Sequence, residues 1–158
     1  MHTGNVAVVN GWGLFGHPLF VGRLEDIVSE VEAIMQKSPD DYLDHPVYKL
    51  FEKVDKAIRE RVPADPAHAQ FLLGNTLGKQ NRDWRRVKSA LPNRYRLFFR
   101  FSSQAPKSII YVWLNDELTL RQAGARTDVY AVFERMLRSG KVPSSYEALL
   151  KTAGALPS

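Results

Sequence analysis

The chain has 158 residues, of which 44% are hydrophobic and 11% aromatic, a composition typical of one globular domain and not of a disordered protein. Cysteine is absent, which excludes disulfides, thiolate chemistry and zinc sites built on cysteine. No apolar run approaches the roughly 20 residues that span a bilayer, and the N-terminus lacks the features of a signal peptide, so we expect a cytoplasmic protein with no membrane partner.

The charge of the chain is uneven along its length. The formal net charge is +5 at pH 7. Residues 1–78 contain 7 Lys and Arg against 11 Asp and Glu, whereas residues 79–141 contain 14 against 5. Such asymmetry within one domain predicts a basic face, for which a phosphate backbone is the commonest partner. On charge alone, a solvated surface that only aids solubility is an equally good interpretation.

The first half of the chain predicts one strand and two helices. Residues 6–14 are apolar and predict the strand. His17-Pro18 then predicts the start of a helix, because proline tolerates the first turn, and apolar residues follow at helical spacing as far as Ile34. A second helix ends at Pro63. It has two possible starts, Ser38-Pro39 and Asp44-His45-Pro46.

The next part of the chain predicts a sheet. Residues 63–83 form a connection, and three strand-like runs follow at 84–90, 94–102 and 108–114. The linkers between these runs are short enough for hairpins, so we expect the sheet to be antiparallel.

The C-terminal part predicts two more helices. One extends from about Asp128 to Ser139, and the last begins at Ser144-Ser145-Tyr146-Glu147, which has the spacing of a capping box. Neither a repeat nor a low-complexity linker interrupts the chain. We therefore expect a single α+β domain over residues 1–158, with its core at about 7–143.

Side-chain alternation in the run at 94–102 predicts two different faces. One face is apolar and is interpreted as core; it carries Tyr95, Leu97, Phe99 and Phe101. The other face is basic, with three arginines around one aromatic ring: Arg94, Arg96, Phe98 and Arg100. In the preceding run, Trp84 shares a face with Arg86 and Lys88. Pairing of the two strands is therefore expected to collect up to five cations around Trp84 and Phe98.

A face of arginines and aromatic rings suits RNA, because guanidinium groups bind phosphate and aromatic rings stack unpaired bases. The RNA-binding candidates are Trp84, Arg85, Arg94, Phe98 and Arg100. The alternative is an ordinary solvent-exposed strand whose arginine stems cover apolar surface. For Arg100 we favour this alternative, and for Arg96 we favour a function.

The polar segment after the third run is a second candidate region. The run at 108–114 is apolar on both faces and predicts an interior strand. Sites are common in the loops that follow such strands. The segment at 115–130 brings to this end Asp116, Glu117, Arg121, Arg126 and Tyr130.

The usual chemistry of a ribonuclease is not available to these segments. The histidines at positions 2, 17, 45 and 68 all lie outside the basic part of the chain, which removes the familiar pair of general base and acid. His17, at a helix start, is expected to cap or to pack. No spacing of His, Asp and Glu resembles a metal site, and no glycine-rich phosphate loop is present. We therefore expect no metal and no other cofactor.

Several short motifs occur in a specific order. They include Asn10-Gly11-Trp12, His17-Pro18, Asp83-Trp84 with Arg86-Val87-Lys88, Tyr95-Arg96-Leu97-Phe98-Phe99-Arg100, Asn115-Asp116-Glu117, Thr127-Asp128 and Tyr130. With these motifs, from about residue 10 to residue 143, the chain resembles the YhaV toxins, a branch of the RelE-like toxin superfamily. Each motif is weak by itself, but their order and spacing together are specific.

The resemblance implies a fold and a function. The RelE-like fold is an α+β fold, an antiparallel sheet with two N-terminal helices packed on one face and with C-terminal helices. The implied function is the toxin of a type II toxin–antitoxin system, a ribonuclease that cuts mRNA on the ribosome. Its implied inhibitor is an antitoxin of the swapped-hairpin AbrB type, similar to PrlF. Such toxins use Arg, Lys and Tyr in place of two histidines.

The resemblance also implies site residues. Arg86 and Lys88 match the basic pair on the second strand of that fold, and Arg96 matches the arginine of its Tyr-Arg motif. Tyr130 matches the tyrosine after the last strand. The arginine before that tyrosine is Arg121 or Arg126, because residues 115–125 stand where many members have a short Gly-x-Arg turn.

The mechanism that we expect is attack of an RNA 2′-OH on the adjacent phosphate, which leaves a 2′,3′-cyclic phosphate and a 5′-OH. Arg86 and Arg96 are expected to bind the phosphorane, Lys88 to act as base, and Tyr130 to orient, protonate or stack. Glu117 is the second candidate for the base, or else an ion-pair partner of Arg121. The competing interpretations are a non-catalytic RNA- or ribosome-binding module and an adaptor for an acidic protein partner.

Overall fold

A six-stranded sheet organises the part of the chain that the computed structural model describes, residues 6–157. The strands are β1 (Val8–Val9), β2 (Trp12–Gly16), β3 (Arg85–Val87), β4 (Leu97–Ser102), β5 (Ser108–Leu114) and β6 (Gly154–Ala155). Their order across the sheet is β1-β2-β5-β4-β3, and β6 also pairs with β2. Residues 1–5, which include His2, and residue 158 belong to the expected single domain but lie outside the described residues.

The helices are α1 (Pro18–Lys37), α2 (Pro46–Lys56), α3 (Val62–Ala64), α4 (Val129–Ser139) and α5 (Tyr146–Thr152). A π-helical turn, Ala57–Arg61, joins α2 to α3, and 3₁₀ turns occupy Tyr42–Asp44, Ala69–Phe71 and Lys79–Asn81. Among residues 6–157, no helix is long and apolar enough to cross a membrane.

Side-chain caps fix the starts of α1, α2, α4 and α5. The expected capping role of His17 is confirmed, since its Nδ1 accepts a hydrogen bond from the Leu19 N–H at 3.1 Å. His45 caps α2 in the same way, so the second helix begins at Pro46 and not after Ser38-Pro39. Ser145, and not Ser144, caps α5 through the Ala148 N–H at 3.2 Å.

Two features of the sheet differ from the sequence-based expectation. The antiparallel pairing of β3, β4 and β5 is confirmed, but β2 runs parallel to β5, from Gly13 opposite Ser108 to Gly16 opposite Tyr111. The hairpin argument concerns only strands that are adjacent in the chain, and a long crossover containing α1 and α2 separates these two. The entirely antiparallel sheet was therefore a wrong prediction.

The expected first strand is a hairpin of two short strands. Its turn consists of Asn10 and Gly11, with φ angles of 51° and 83°. Asn-Gly is the pair that adopts positive φ at both positions of a tight hairpin turn. The turn divides the apolar run at residues 6–14 into β1 and β2, and β2 lies between β1 and β5 in the sheet.

Apolar side chains cover both faces of the sheet. On one face, residues of α1 and α2 pack against β4 and β5: Phe20, Ile27, Leu50, Val54, Leu97, Phe99 and Tyr111. On the other face, residues of α4 and α5 pack on the same strands: Trp84, Phe98, Trp113, Phe133 and Leu149. The second face of β4 is therefore a second core and not the exposed basic face expected from alternation.

Candidate active site

Three arginines from three separate segments converge on Tyr130, in the first turn of α4. The Arg96 Nε donates a hydrogen bond to the Tyr130 hydroxyl at 3.1 Å. The guanidinium carbon of Arg121 lies 4.9 Å from the centre of the Tyr130 ring, and that of Arg86 lies 6.0 Å from it. We call these four residues the Tyr130 cluster. They form the densest group of cations around one aromatic ring among residues 6–157.

Arg96 is held from both its backbone and its side chain. It is 7% exposed, lies just before β4, and donates from its guanidinium to the Tyr95 carbonyl at 2.8 Å. Its own N–H donates to the side-chain oxygen of Asn115 at 2.8 Å. Asn115 is fully buried, and its amide nitrogen donates to the carbonyls of Arg94 and Thr119. The segment just before β4, which carries Arg96, is thus fastened to the segment that follows β5.

Arg121 is held by two residues, Arg94 and Asp128. Its N–H donates to the Arg94 carbonyl at 2.9 Å, and the Arg94 Nε donates back to the Arg121 carbonyl at 3.0 Å. Its guanidinium forms an ion pair with Asp128 at 2.9 Å. These contacts bring Arg121 over the Tyr130 ring although residues 115–125 separate it from the end of β5.

The carboxylate of Asp128 is an internal anion beside the cluster. It is 4% exposed, and this burial opposes ionisation. Hydrogen bonds from the Gln122 N–H, from the Arg121 guanidinium and from the Tyr130 N–H outweigh the burial, and they lower the pKa of Asp128. The residue is therefore ionised at neutral pH and neutralises part of the charge of the three arginines.

Arg86 retains an unused hydrogen-bond donor. One terminal nitrogen of its guanidinium donates to the Leu72 carbonyl. Its Nε is buried and has no hydrogen-bond partner among residues 6–157. An unsatisfied buried donor costs roughly 1–3 kcal/mol, and the Nε of Arg85 is buried and unpaired in the same way.

The comparison with known proteins identifies the family of the chain. Residues 14–154 match the model of a family described as a toxin with endonuclease activity, of a toxin–antitoxin system. The chain belongs to the YhaV toxin family. As a member, it is an endonuclease toxin with an antitoxin partner, and both the family and the nuclease class predicted from the sequence are confirmed.

Curated YhaV relatives are similar over nearly their whole length. Toxin YhaV of Escherichia coli O6:H1 is 44% identical over 142 residues, 89% of this chain and 91% of the relative. Ribonuclease toxin YhaV of Escherichia coli K12 is 43% identical over 144 residues, 90% of this chain and 92% of the relative. Toxin YhaV of Escherichia coli O157:H7 gives the same values. No solved structure matches the chain.

Two aromatic candidates of the YhaV-family toxin lie inside the protein. Trp84 is 1% exposed and Phe98 is fully buried. The ring of Phe98 stacks on that of Phe133 in α4, with centroids 4.1 Å apart, and Trp84 meets the same ring edge-on at 5.0 Å. Because α4 covers them, neither ring is available to stack an RNA base, and their expected exposure was wrong.

Three of the RNA-binding candidates make contacts within the fold. Arg100 forms an ion pair with Asp83 at 3.7 Å and lies over the rings of Trp84 and Tyr146; burial lowers the pKa of Arg100. This agrees with the structural interpretation that the sequence favoured for it. Arg85 projects to the opposite side of β3, over the Phe101 ring. Arg94 is exposed, and its side chain holds the Arg121 backbone.

The remaining catalytic candidates lie outside the cluster. Glu117 is exposed and lines a cavity of about 150 Å³ together with Arg23 and Tyr95, on the side of the sheet where α1 packs. The partner of Arg121 is Asp128 and not Glu117. Arg126 is exposed, and its carbonyl accepts a hydrogen bond from Arg135 at 2.7 Å. Lys88 is also exposed, just beyond β3.

Two residues of the site were not among the sequence candidates. Asn115 and Asp128 are both buried polar residues that bind members of the cluster. The available sequence signals were an Asn at the end of an apolar strand and an Asp two positions before a helical Tyr, the position of a helix cap. Within residues 6–157, no group of three or more His, Cys, Asp or Glu is arranged to hold a metal ion.

Proposed function

We propose that this YhaV-family toxin is an mRNA endoribonuclease that cuts on the ribosome, in the cytoplasm, without a metal ion. RNA is the substrate in the name of the Escherichia coli K12 relative. The observation that carries the proposal is the convergence of Arg86, Arg96 and Arg121 on Tyr130. Attack of a 2′-OH on phosphate requires cations for the phosphorane and groups that move two protons, and a metal is not needed when arginines supply the charge.

The arginines have separate tasks in the proposed reaction. Arg86 and Arg121 are partly exposed and bind the non-bridging oxygens of the scissile phosphate by charge-assisted hydrogen bonds. Arg96 is buried and acts on the hydroxyl of Tyr130. As the phosphorane forms, its extra negative charge strengthens each of these interactions.

Tyr130 is the proposed general acid. Its hydroxyl oxygen accepts a hydrogen bond from Arg96, and a hydroxyl group that accepts one bond still has its own proton to donate. Lys88 follows Arg86 by two residues and is the proposed base. It takes the proton of the 2′-OH, the O2′–P bond forms, the P–O5′ bond breaks, and Tyr130 gives its proton to O5′. The products are a 2′,3′-cyclic phosphate and a 5′-OH.

The antitoxin proposed for this toxin is of the swapped-hairpin AbrB type. A toxin whose substrate is an anionic chain is inhibited most directly by a partner that covers the cations of the site. The partly exposed Arg86 and Arg121 and the exposed Lys88 are the groups that such a partner would have to cover.

The experiment is to map the ends of RNA cut by the purified protein, with free mRNA and with translating ribosomes, in buffer containing EDTA. Wild type is expected to leave 5′-OH and 2′,3′-cyclic phosphate ends, most of them on ribosome-bound mRNA. Arg96→Ala is expected to leave none, while its melting curve reports whether it folds. Binding without new ends would refute the nuclease activity, and cutting that stops in EDTA would refute the metal-independent mechanism.

A further inference from the structure

Buried polar residues of the protein concentrate at the site. Those among residues 6–157 are His17, Arg96, Ser108, Asn115 and Asp128. His17 caps α1, and Ser108 binds the hydroxyl of Tyr146. The other three belong to the Tyr130 cluster or bind it directly. A buried polar group is costly unless it is hydrogen-bonded, so each of these groups holds a defined partner.

Asp128 connects two members of the cluster through one carboxylate. Its Oδ2 accepts a hydrogen bond from the Tyr130 N–H at 3.1 Å. Its Oδ1 accepts from the Arg121 guanidinium at 2.9 Å and from the Gln122 N–H at 2.6 Å. The same side chain thus fixes the start of the helix that carries Tyr130 and the guanidinium that lies over its ring.

The contacts of Asp128 exceed what a helix cap requires. A cap needs one oxygen that accepts from an N–H of the first turn, and Oδ2 serves that purpose. Oδ1 faces Arg121 and Gln122, which precede the helix. The Arg121 side chain is 35% exposed, so without this partner it would be free to leave the Tyr130 ring. A guanidinium has five N–H donors, and those not used by Asp128 remain for phosphate.

We propose that Asp128 is a positioning residue for RNA cleavage, which holds the Arg121 guanidinium over Tyr130 where it meets the scissile phosphate. The inference rests on the proposed function and adds to it the group that orients Arg121. Asp128 touches no substrate in this account. Another capping residue can replace its cap of α4, and its charge acts on the reaction through Arg121. Its effect on the rate should therefore disappear when Arg121 is absent.

The test is a double-mutant cycle with Asp128→Asn and Arg121→Ala, in which kcat, KM and melting temperature are measured on the same RNA. Asparagine caps helices as well as aspartate does, but its amide has lost the charge that holds Arg121. Asp128→Asn is expected to lower kcat about tenfold. This is at the lower end of the loss of activity seen when a residue that orients a catalytic group is replaced. KM is expected to stay close to wild type, and the melting temperature to fall, because the amide nitrogen of asparagine cannot accept the hydrogen bonds from Arg121 and Gln122. In the Arg121→Ala background, Asp128→Asn is expected to change kcat no further.

Two controls separate positioning from folding. Ser145→Ala removes the cap of α5, which touches no member of the cluster, so it is expected to lower the melting temperature and leave kcat unchanged. A serine at position 128 still caps the helix but is too short to reach Arg121. If Asp128→Asn does not fold, Asp128→Ser takes its place in the cycle, and the same change in kcat is expected.

The outcomes distinguish this inference from the proposed function. If the losses of kcat from the two substitutions multiplied in the double variant, the positioning role of Asp128 would be wrong. The same holds if kcat followed the melting temperature in every variant. Neither result would affect the proposed function. A wild-type protein that folds but cuts no RNA would overturn the proposed function, and the inference with it.

Discussion

Two buried tyrosines form hydrogen bonds through their hydroxyl groups on opposite sides of the sheet, and only Tyr130 has a proposed role in the reaction. The hydroxyl of Tyr130 accepts a hydrogen bond from Arg96. The hydroxyl of Tyr111 lies on the other side of the sheet and donates to the Ile58 carbonyl at 2.8 Å. Ile58 belongs to the π-helical turn, whose wider winding changes the pairing of the helix carbonyls. Complete burial raises the pKa of Tyr111 well above its usual value, so this hydroxyl stays protonated.

The two tyrosines give a matched pair of variants. Tyr130→Phe is expected to lower kcat by about a hundredfold, the lower end of what a general acid contributes. Tyr111→Phe is expected to lower the free energy of unfolding by about 1 kcal/mol, the net value of one hydrogen bond, and to leave kcat unchanged. RNA cleavage assays and urea unfolding of both variants measure these effects. Equal losses of kcat in the two would contradict an acid role for Tyr130.

The place of an individual residue could be predicted where a strand pattern or a family motif identifies it. Arg96 and Tyr130 were expected at the site, and they are in contact. Trp84 and Phe98 were misplaced because alternation tells which residues share a face, but not which helix covers that face. The choice between Arg121 and Arg126 depends on hydrogen bonds that close a loop, and a sequence pattern carries no such information.

At the scale of elements, the three histidines within residues 6–157 act as helix caps. His17, His45 and His68 each accept a hydrogen bond at Nδ1 from the N–H two residues further along. Of these, His17 is buried, and burial lowers its pKa from 6.5. As the pH falls, the unfolded chain therefore takes up a proton before the folded protein does. The stability linked to His17 is complete above pH 6.5 and declines below it.

This linkage predicts a pH-dependent effect of one substitution. His17→Asn retains a capping side chain but does not titrate, so the loss of unfolding free energy between pH 7.5 and pH 5 is expected to be smaller than in wild type. His45→Asn is the matched control, because His45 caps α2 but is exposed, and it is expected to keep the wild-type pH dependence. Urea unfolding at the two pH values measures both. A His17→Asn protein that loses as much stability as wild type would refute the linkage.

Elements were predictable to the extent that their local sequence determines them. The bounds of β5 were predicted correctly, and α4 begins one residue after the expected start. In contrast, β3 is shorter than the expected run of residues 84–90. The parallel pairing of β2 with β5 joins segments far apart in the chain, and it depends on how the intervening helices pack, which local spacing does not encode.

At the scale of the whole molecule, basic residues of the second half of the chain gather on and beside α4. The exposed side of α4 and the segment after it carry Arg135, Arg138 and Lys141, and Tyr130 lies in the first turn of the same helix. The helices α1 and α2 lie in the acidic half of the chain. RNA that enters the site is therefore expected to run along α4, because cations there attract its phosphates.

The salt dependence of cleavage tests this placement. The combined substitutions Arg135→Ala and Lys141→Ala are expected to raise KM for a long RNA and to weaken its dependence on salt, by roughly 0.7 in the logarithmic slope for each phosphate that is no longer neutralised. Lys37→Ala with Lys49→Ala, on α1 and α2, is the control and is expected to leave the slope unchanged. KM measured at several salt concentrations decides the question. If the two double variants showed the same dependence of KM on salt, the expectation that RNA runs along α4 would be wrong.

The most direct test of the central claim, that the cluster around Tyr130 is the active site, compares two arginines of one loop. Arg121 lies 4.9 Å from the Tyr130 ring centre, whereas Arg126, five residues later, is exposed. In a single-turnover RNA cleavage assay, Arg121→Ala is expected to lower the rate by about a hundred- to a thousandfold, as for other donors to a transition state. Arg126→Ala is expected to cut at close to the wild-type rate. A large loss with Arg126→Ala, and little with Arg121→Ala, would contradict the assignment of the site.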